Sequence, residues 1–284
     1  MQIKAFSAPR FTVLALGLGL ASSAWALTQT LPNLFVGADS NSNLNPFVQP
    51  QDPALSGGGR DQSLQFGDVV FGSTGPDVLI GRLGVDVLVG SAGGDVLIGG
   101  TEHFNPLNRD RAFGGDGNDA FLWAPGDGSD FFDGGPGLDA VVFGLMGEVN
   151  DAGEVFFGVS NDQLAGNVFL DNITGLPSMN IINSPGFCQI IDDSSTPNAA
   201  AELDALNIDH LAQFVIRGLA DSFEAGTQTE DNGLRVSLHL KDVEFVVCAT
   251  REGGALEVLD LRTSPPTVVD RAAVPIPQLS AILR

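Results

Sequence analysis

Basic residues are scarce in this chain. Its 284 residues contain 13 lysines and arginines against 35 aspartates and glutamates, which gives a formal net charge of −22. A chain this acidic repels nucleic acids and anionic membrane surfaces at long range. We therefore expect no nucleic-acid partner, whereas cations are attracted.

The residue patterns of common enzyme classes are also missing. The three histidines, at positions 103, 210 and 239, lie far apart, and no H-E-x-x-H zinc motif occurs. No G-x-S-x-G nucleophile elbow, Walker A loop or Rossmann glycine pattern is present. Asp192 and Asp193 form an acidic pair, which we interpret as a solvated loop rather than a catalytic dyad. The sequence thus predicts no catalytic residues.

No apolar run is long enough to cross a membrane. Phe11–Ala21 is apolar but short; Lys4 and Arg10 precede it, and the small residues Ala24 and Ala26 follow. This order is typical of a secretory signal peptide, so we expect cleavage after Ala26 and an exported chain without a membrane span. An uncleaved anchor is the alternative.

Cysteine is limited to Cys188 and Cys248, and neither belongs to a C-x-x-C motif. In an exported chain an even pair favours one disulfide. On the chain-entropy model this crosslink would contribute up to about 4 kcal/mol. Two buried free thiols are the alternative.

Glycine, in contrast, is abundant at 36 residues, and much of it recurs with aspartate at a nine-residue period. The clearest units are Gly72–Ile80, Gly81–Val89 and Gly90–Ile98. The period continues after a six-residue insertion that follows the third unit, and it later slips once by two residues. The aspartates of the eight candidate units are Asp68, Asp77, Asp86, Asp95, Asp110, Asp119, Asp130 and Asp139.

These units resemble the calcium-binding nonapeptides of RTX (hemolysin-type) proteins over residues 63–143. The resemblance implies a right-handed parallel β-roll in which units two apart stack, and in which Ca²⁺ is the cofactor. It pairs Asp77 with Asp95 and Asp68 with Asp86, and the later aspartates continue the two rows. The glycines that it assigns to the calcium sites are Gly72, Gly75, Gly81, Gly84, Gly90, Gly93, Gly115, Gly117, Gly135 and Gly137. Ser73, Arg82 and Ser91 stand where the family pattern has a second glycine.

Elementary chemistry explains why such units need a cation. Calcium takes six to eight oxygen ligands, and glycine turns bring carbonyl and carboxylate oxygens together. Carboxylates on stacked strands about 5 Å apart repel by roughly 3 kcal/mol, so several pairs approach the stability of a domain. We therefore expect the roll to fold only when calcium is bound. The residue two after each aspartate is apolar and predicts a core column.

The rest of the chain divides by composition. Residues 27–62, rich in Asn, Pro, Ser and Gly, predict a flexible linker. Residues 144–263 predict a β-rich α+β region with strands such as 235–241 and one amphipathic helix over about 198–223. The proline-rich tail 264–284 predicts no regular structure. The expected fold is therefore mainly β.

We expect an exported, non-catalytic calcium-binding protein, secreted or held at the cell surface, with the periplasm also open. Two alternatives remain: a secreted enzyme that the roll stabilises, with residues 145–263 catalytic, and a calcium-dependent adhesion or surface-layer component. The last would have a cell-surface or self-association partner. Fold alone does not decide among them.

Overall fold

The computed structural model describes residues 31–36, 69–81, 85–100, 109–149, 155–157, 168, 170–171, 173–217, 235–276 and 278–283. All of these except Leu31 belong to one unit, Pro32–Arg284. The predicted signal peptide, Asp68, Gly84 and His103 lie outside the described residues. No helix among the described residues is long and apolar enough to cross a membrane.

The described chain is mainly β. Its strands are β1 (Asn33–Val36), β2 (Val69–Phe71), β3 (Asp77–Ile80), β4 (Val87–Ala92), β5 (Val96–Ile98), β6 (Arg111–Asp116), β7 (Ala120–Trp123), β8 (Phe131–Asp133), β9 (Ala140–Phe143), β10 (Leu145–Val149), β11 (Val155–Phe157), β12 (Met179–Asn180), β13 (Gly186–Ile191), β14 (His210–Ile216), β15 (Arg235–Lys241), β16 (Phe245–Ala249), β17 (Leu256–Asp260) and β18 (Thr267–Val269). The helices are α1 (Ala199–Leu206), a 3-10 turn (Arg271–Ala273) and α2 (Leu279–Ile282).

Successive repeat strands alternate between two sheets. The first sheet has the order β1-β3-β5-β7-β9-β16-β17-β18, and the second has the order β13-β14-β15-β8-β6-β4-β2. Within the repeats every pairing is parallel and joins units two apart, as in β3 with β5 and β4 with β6. The nine-residue period therefore gives the stacking that was predicted for it.

The predicted apolar column forms the core between the sheets. Its members are fully buried and belong to one cluster: Leu79, Leu88, Leu97, Ala112, Phe121, Phe132 and Val141. Phe121 and Phe132 stack across the sheets with ring centroids 5.4 Å apart. Burial of each large side chain contributes about 1.5–3 kcal/mol, so this column is a main source of stability.

Neither sheet ends at Phe143. Strand β15 pairs in parallel with β8, and β16 pairs in parallel with β9, so the region after the repeats extends both sheets. Antiparallel strands then complete the sheets, with β13 and β14 on one and β17 and β18 on the other. Cys188 in β13 and Cys248 in β16 form a disulfide that joins the two sheets, and this confirms the predicted bond.

Within the described residues, the helix predicted over 198–223 is wrong beyond its first two turns, and residues 218–223 lie outside the described residues. Helix α1 ends at Leu206 because Asn207 takes a left-handed conformation with φ 56°. Residues His210–Ile216 are strand β14, hydrogen-bonded on both sides. The aromatic and β-branched residues at its end suit a strand, and their spacing in this short window fits either period.

Two segments predicted to lack structure contribute strands. The predicted linker contains β1, which pairs in parallel with β3. The tail contains β18 and α2, and its apolar residues cover the outer face of the first sheet. Val274, Ile276, Leu279 and Ile282 are all buried there. The tail prediction was wrong because the prolines obscure an apolar pattern in the sequence, and these apolar residues pack onto the outer face of the first sheet. Strand Arg235–Lys241, in contrast, is confirmed.

Candidate cation site

The repeat aspartates lie where each turn enters a strand, and they are buried. Seven of the eight predicted aspartates are described, each at most 1% exposed: Asp77, Asp86, Asp95, Asp110, Asp119, Asp130 and Asp139. Aspartate is almost never fully buried unless it is paired. So many buried carboxylates therefore need a compensating interaction.

Hydrogen bonds arrange these aspartates in two rows, one along each sheet. Row one comprises Asp77, Asp95, Asp119 and Asp139, and row two comprises Asp86, Asp110 and Asp130. In each row the Oδ1 atom accepts the main-chain N–H of the aspartate two units earlier. The N···O distances are 2.9, 2.7 and 2.7 Å along row one, and 2.7 and 2.9 Å along row two. These are the rows that the resemblance implied.

The second carboxylate oxygen is the unusual atom. The Oδ2 atoms of Asp95, Asp119, Asp130 and Asp139 are buried without a hydrogen-bond partner. An ionised carboxylate left in this state costs several kcal/mol, so it either takes up a proton or binds a cation.

The effect appears in the pKa values along row one. Burial raises the pKa of Asp95 to about 6, that of Asp119 to about 7 and that of Asp139 to about 8, from an ordinary value of 3.8. A main-chain hydrogen bond lowers each pKa in part, and the preceding aspartate raises it further. Burial also raises the pKa of Asp130 well above 3.8. Without a cation these groups therefore hold protons close to neutral pH.

Glycines make room for the second oxygen. A Cβ atom added at Gly90 would lie within 3.0 Å of both Asp95 Oδ2 and the carbonyl oxygen of Gly114. Gly72 and Gly81, which were also predicted, stand in the same relation to Asp77 and Asp86. Gly99, Gly114 and Gly134 play this role in later units, although they are not among the glycines predicted for the site. The signal was there, since Gly114 and Gly134 precede their aspartates by the same five residues as Gly72 precedes Asp77.

The other predicted glycines shape the turns. Gly93, Gly115, Gly117 and Gly135 have positive φ angles between 88° and 151°, which favour glycine. Gly75 and Gly137 lie beside them, against the glycines of neighbouring units. Ser91 adopts φ 87° although it carries a side chain, at a position where the family pattern has glycine.

The donor set suits a hard cation. The buried Oδ2 atoms of Asp95, Asp119 and Asp139 each lie near a main-chain carbonyl oxygen of the next stacked turn, and both are ligand types that Ca²⁺ takes. Among the described residues, no three acidic, histidine or cysteine side chains are grouped so that they could hold a metal. A bound cation would therefore depend on one or two carboxylates completed by carbonyl oxygens.

Two residues outside the predicted repeats end row one. Asn33 in β1 donates from Nδ2 to Asp77 Oδ1 at 2.8 Å, and Glu244 Oε2 accepts the Asp139 N–H at 2.7 Å. Neither residue was predicted as part of the site. A weak signal existed, because Asn33 and Glu244 each precede three apolar residues, as most repeat aspartates do.

The acidic pair in the C-terminal region was predicted to be solvated, and this is confirmed for Asp193 but wrong for Asp192. Asp192 is only 2% exposed, whereas Asp193 is exposed. Burial opposes ionisation of Asp192, but hydrogen bonds from Ser264, Ser194 and Ser195 hold its pKa below 3.8. Asp192 thus connects Ser264, at the start of the tail, to the loop that follows β13.

A polar pocket lies beside this loop, lined by Asp193, Asp204, Asp209, His210 and Arg262 among others. The Arg262 guanidinium already pairs with Asp260 at 2.6 Å. Burial lowers the pKa of His210, so this imidazole is neutral at pH 7. His239 is likewise kept neutral by burial.

No family model, curated protein or solved structure matches the chain.

Proposed function

We propose that this protein is an exported calcium-binding protein of the RTX type. In this proposal the parallel strands form a right-handed β-roll, and Ca²⁺ binds along rows one and two. The observation that carries the proposal is the set of four buried Oδ2 atoms without hydrogen-bond partners, at Asp95, Asp119, Asp130 and Asp139. Carbonyl oxygens of the next stacked turn lie near these atoms at Asp95, Asp119 and Asp139.

Calcium binding would be coupled to folding. The rows bring carboxylates together only when the strands stack, so an unfolded chain has no site. A divalent ion takes the place of the protons that row one otherwise holds near neutral pH, and it removes the repulsion between neighbouring carboxylates. The free energy of binding therefore adds to the free energy of folding.

An extracellular location fits both the metal and the disulfide. Extracellular calcium modules bind at about 10⁻⁴–10⁻³ M, and disulfides persist in oxidising compartments. The bond between Cys188 and Cys248 thus supports export of the chain. Cell fractionation would test for a cell-surface partner of the folded protein, and sedimentation in the presence of calcium would test for binding of a second copy.

Circular dichroism with stepwise calcium addition tests the proposal. Calcium-stripped protein at pH 7.5, between the pKa values of Asp119 at about 7 and Asp139 at about 8, is expected to gain β signal as calcium reaches the millimolar range. Magnesium at the same concentration is the control, because it demands octahedral geometry and keeps its water ligands. A spectrum and melting temperature that calcium leaves unchanged would contradict the proposal.

A further inference from the structure

Strands β15 and β16 continue the repeat coil after a long excursion of the chain. Leu240 pairs with Phe132 of β8, and Val246 pairs with Val141 of β9, both in parallel. The repeats connect such strands by the six residues Gly134–Asp139, whereas only Asp242–Glu244 connect β15 to β16. Residues 239–247 therefore occupy the place of one more pair of repeat strands, without the glycine motif.

Glu244 takes the position of the next aspartate in row one. Its Oε2 atom accepts the Asp139 N–H at 2.7 Å, and Asp139 Oδ1 accepts the Asp119 N–H at the same distance. The strand bond that follows is also repeated. Phe245 N–H donates to the Asp139 carbonyl at 3.0 Å, as Ala140 N–H donates to the Asp119 carbonyl at 2.9 Å.

Asp242 takes the position of the turn glycine. It adopts a left-handed conformation with φ 47°, which side-chain-bearing residues adopt rarely. A Cβ atom added at Gly134 would lie within 3.0 Å of both the Asp242 carbonyl oxygen and Asp139 Oδ2. The same construction at Gly114 meets the Gly134 carbonyl oxygen and Asp119 Oδ2. The Asp242 carbonyl oxygen thus lies where a repeat turn has its glycine carbonyl oxygen, although the left-handed φ of Asp242 has no counterpart at Gly134.

The Asp139 carboxylate points into this turn and remains unsatisfied. Asp139 is 0% exposed, and its Oδ2 atom has no hydrogen-bond partner. Two basic side chains near this turn pair with other carboxylates, and one of them, Arg262, also lowers the pKa of Glu244 in part. Lys241 pairs with Asp133 at 2.8 Å and with Asp242 at 3.4 Å, and Arg262 pairs with Asp260 at 2.6 Å.

We infer that Asp139, Glu244 and the main-chain carbonyl of Asp242 form a terminal calcium site at the end of row one. The inference rests on the proposed function of the rows and adds a site that the repeats alone do not contain. Glu244 is 105 residues from Asp139 in sequence. A cation at this site would therefore hold the C-terminal strands against the last repeat.

Glu244→Gln tests the site, with Glu252→Gln as the matched control. The glutamine keeps an oxygen that accepts the Asp139 N–H but removes the charge, so the fold should be retained. Glu252 is exposed in the turn after β16, and its substitution changes the net charge equally. Isothermal titration with calcium chloride should show one ion fewer per chain, or one site weakened tenfold or more, for Glu244→Gln only.

Gly134→Ala is a second variant that blocks the site without changing any charge, because its methyl group would overlap the Asp242 carbonyl oxygen and Asp139 Oδ2, so that this turn must shift. It should lose the same ion while calcium still produces the native circular dichroism spectrum. With that spectrum retained, it decides the matter if Glu244→Gln fails to fold. If the native protein binds calcium and both variants bind it with unchanged stoichiometry and affinity, the terminal site is overturned and the proposed function stands. If the native protein binds no calcium, both are overturned.

Discussion

The repeat strands and the strands that follow them share two sheets but are held together by different interactions. At the edges of the repeats the buried groups are carboxylates, whose Oδ2 atoms lack hydrogen-bond partners at Asp95, Asp119, Asp130 and Asp139. In the C-terminal region the link between sheets is a disulfide, and Arg217 donates to the carbonyl oxygens of Ser184 and Thr250. One part of the molecule therefore depends on its ionic surroundings, and the other is held by a covalent bond and by hydrogen bonds from its own side chains.

The two parts should therefore fold under different conditions. A cation, or protons, must compensate the repeat carboxylates before the parallel strands can stack, whereas β13–β17 contain hydrogen-bonded antiparallel pairs of their own. Because β15 and β16 also pair with β8 and β9, the C-terminal strands offer a template onto which the repeats can stack. Conditions that affect only one of the two parts should separate them.

The largest expected effect is that the free energy of unfolding of the calcium-free protein depends on pH. The folded-state pKa values of Asp95, Asp119 and Asp139 are raised to about 6, 7 and 8 from 3.8. Between about pH 4 and pH 8 the folded state therefore binds more protons than the unfolded state, and the free energy of unfolding falls as the pH rises. Urea unfolding in calcium-stripped buffer at pH 5 and pH 8 should show lower stability at pH 8.

Calcium should weaken or abolish this dependence, because it binds the ionised carboxylates. Asp119→Asn is the internal control. It keeps an oxygen for the Asp95 N–H but cannot titrate, so the fall in stability between pH 5 and pH 8 should shrink in this variant. A calcium-free protein that becomes more stable as the pH rises would contradict the predicted dependence of the repeats on charge.

Removal of the disulfide should have the next largest effect. The double variant Cys188→Ser, Cys248→Ser opens a loop with a sequence separation of 60 residues, which costs up to about 4 kcal/mol on the chain-entropy model. Because the disulfide joins C-terminal strands that do not depend on a cation, the loss of stability should be similar with and without calcium. Thermal melts of the native and double-variant proteins in both conditions measure it, and the native protein without reductant is the reference.

A loss of stability seen only in the calcium-bound protein would contradict the contrast between the two parts. It would mean that the C-terminal strands are themselves disordered when no calcium is bound to the repeats.

The two parts also differ in how far the sequence predicts them. In the repeats one period specifies turn, strand and buried residue together, so the core column from Leu79 to Val141 follows from spacing, whereas the stacking of units two apart was implied by the resemblance to RTX nonapeptides. Glu244 and Asp242 reach equivalent positions without that period, because pairing with β8 and β9 places them there. The helix prediction failed at Asn207 for a related reason, since the partners of β14 are distant in sequence. Tertiary contacts decide these segments, and local pattern does not reveal them.

The smallest predicted effect concerns the contact between the tail and the repeats. Gln278 donates from Nε2 to the Gly94 carbonyl oxygen at 2.7 Å, next to Asp95 of row one. Gln278→Met keeps much of the side-chain volume and removes this hydrogen bond, which should cost about 1 kcal/mol in the calcium-bound protein. Without calcium the loss should be smaller, because the turn that presents Gly94 depends on the compensated carboxylate of Asp95. Urea unfolding of both proteins with and without calcium measures the difference. Equal losses in the two conditions would show that this turn forms without a cation. The part of the molecule that folds without calcium would then include some of the repeats.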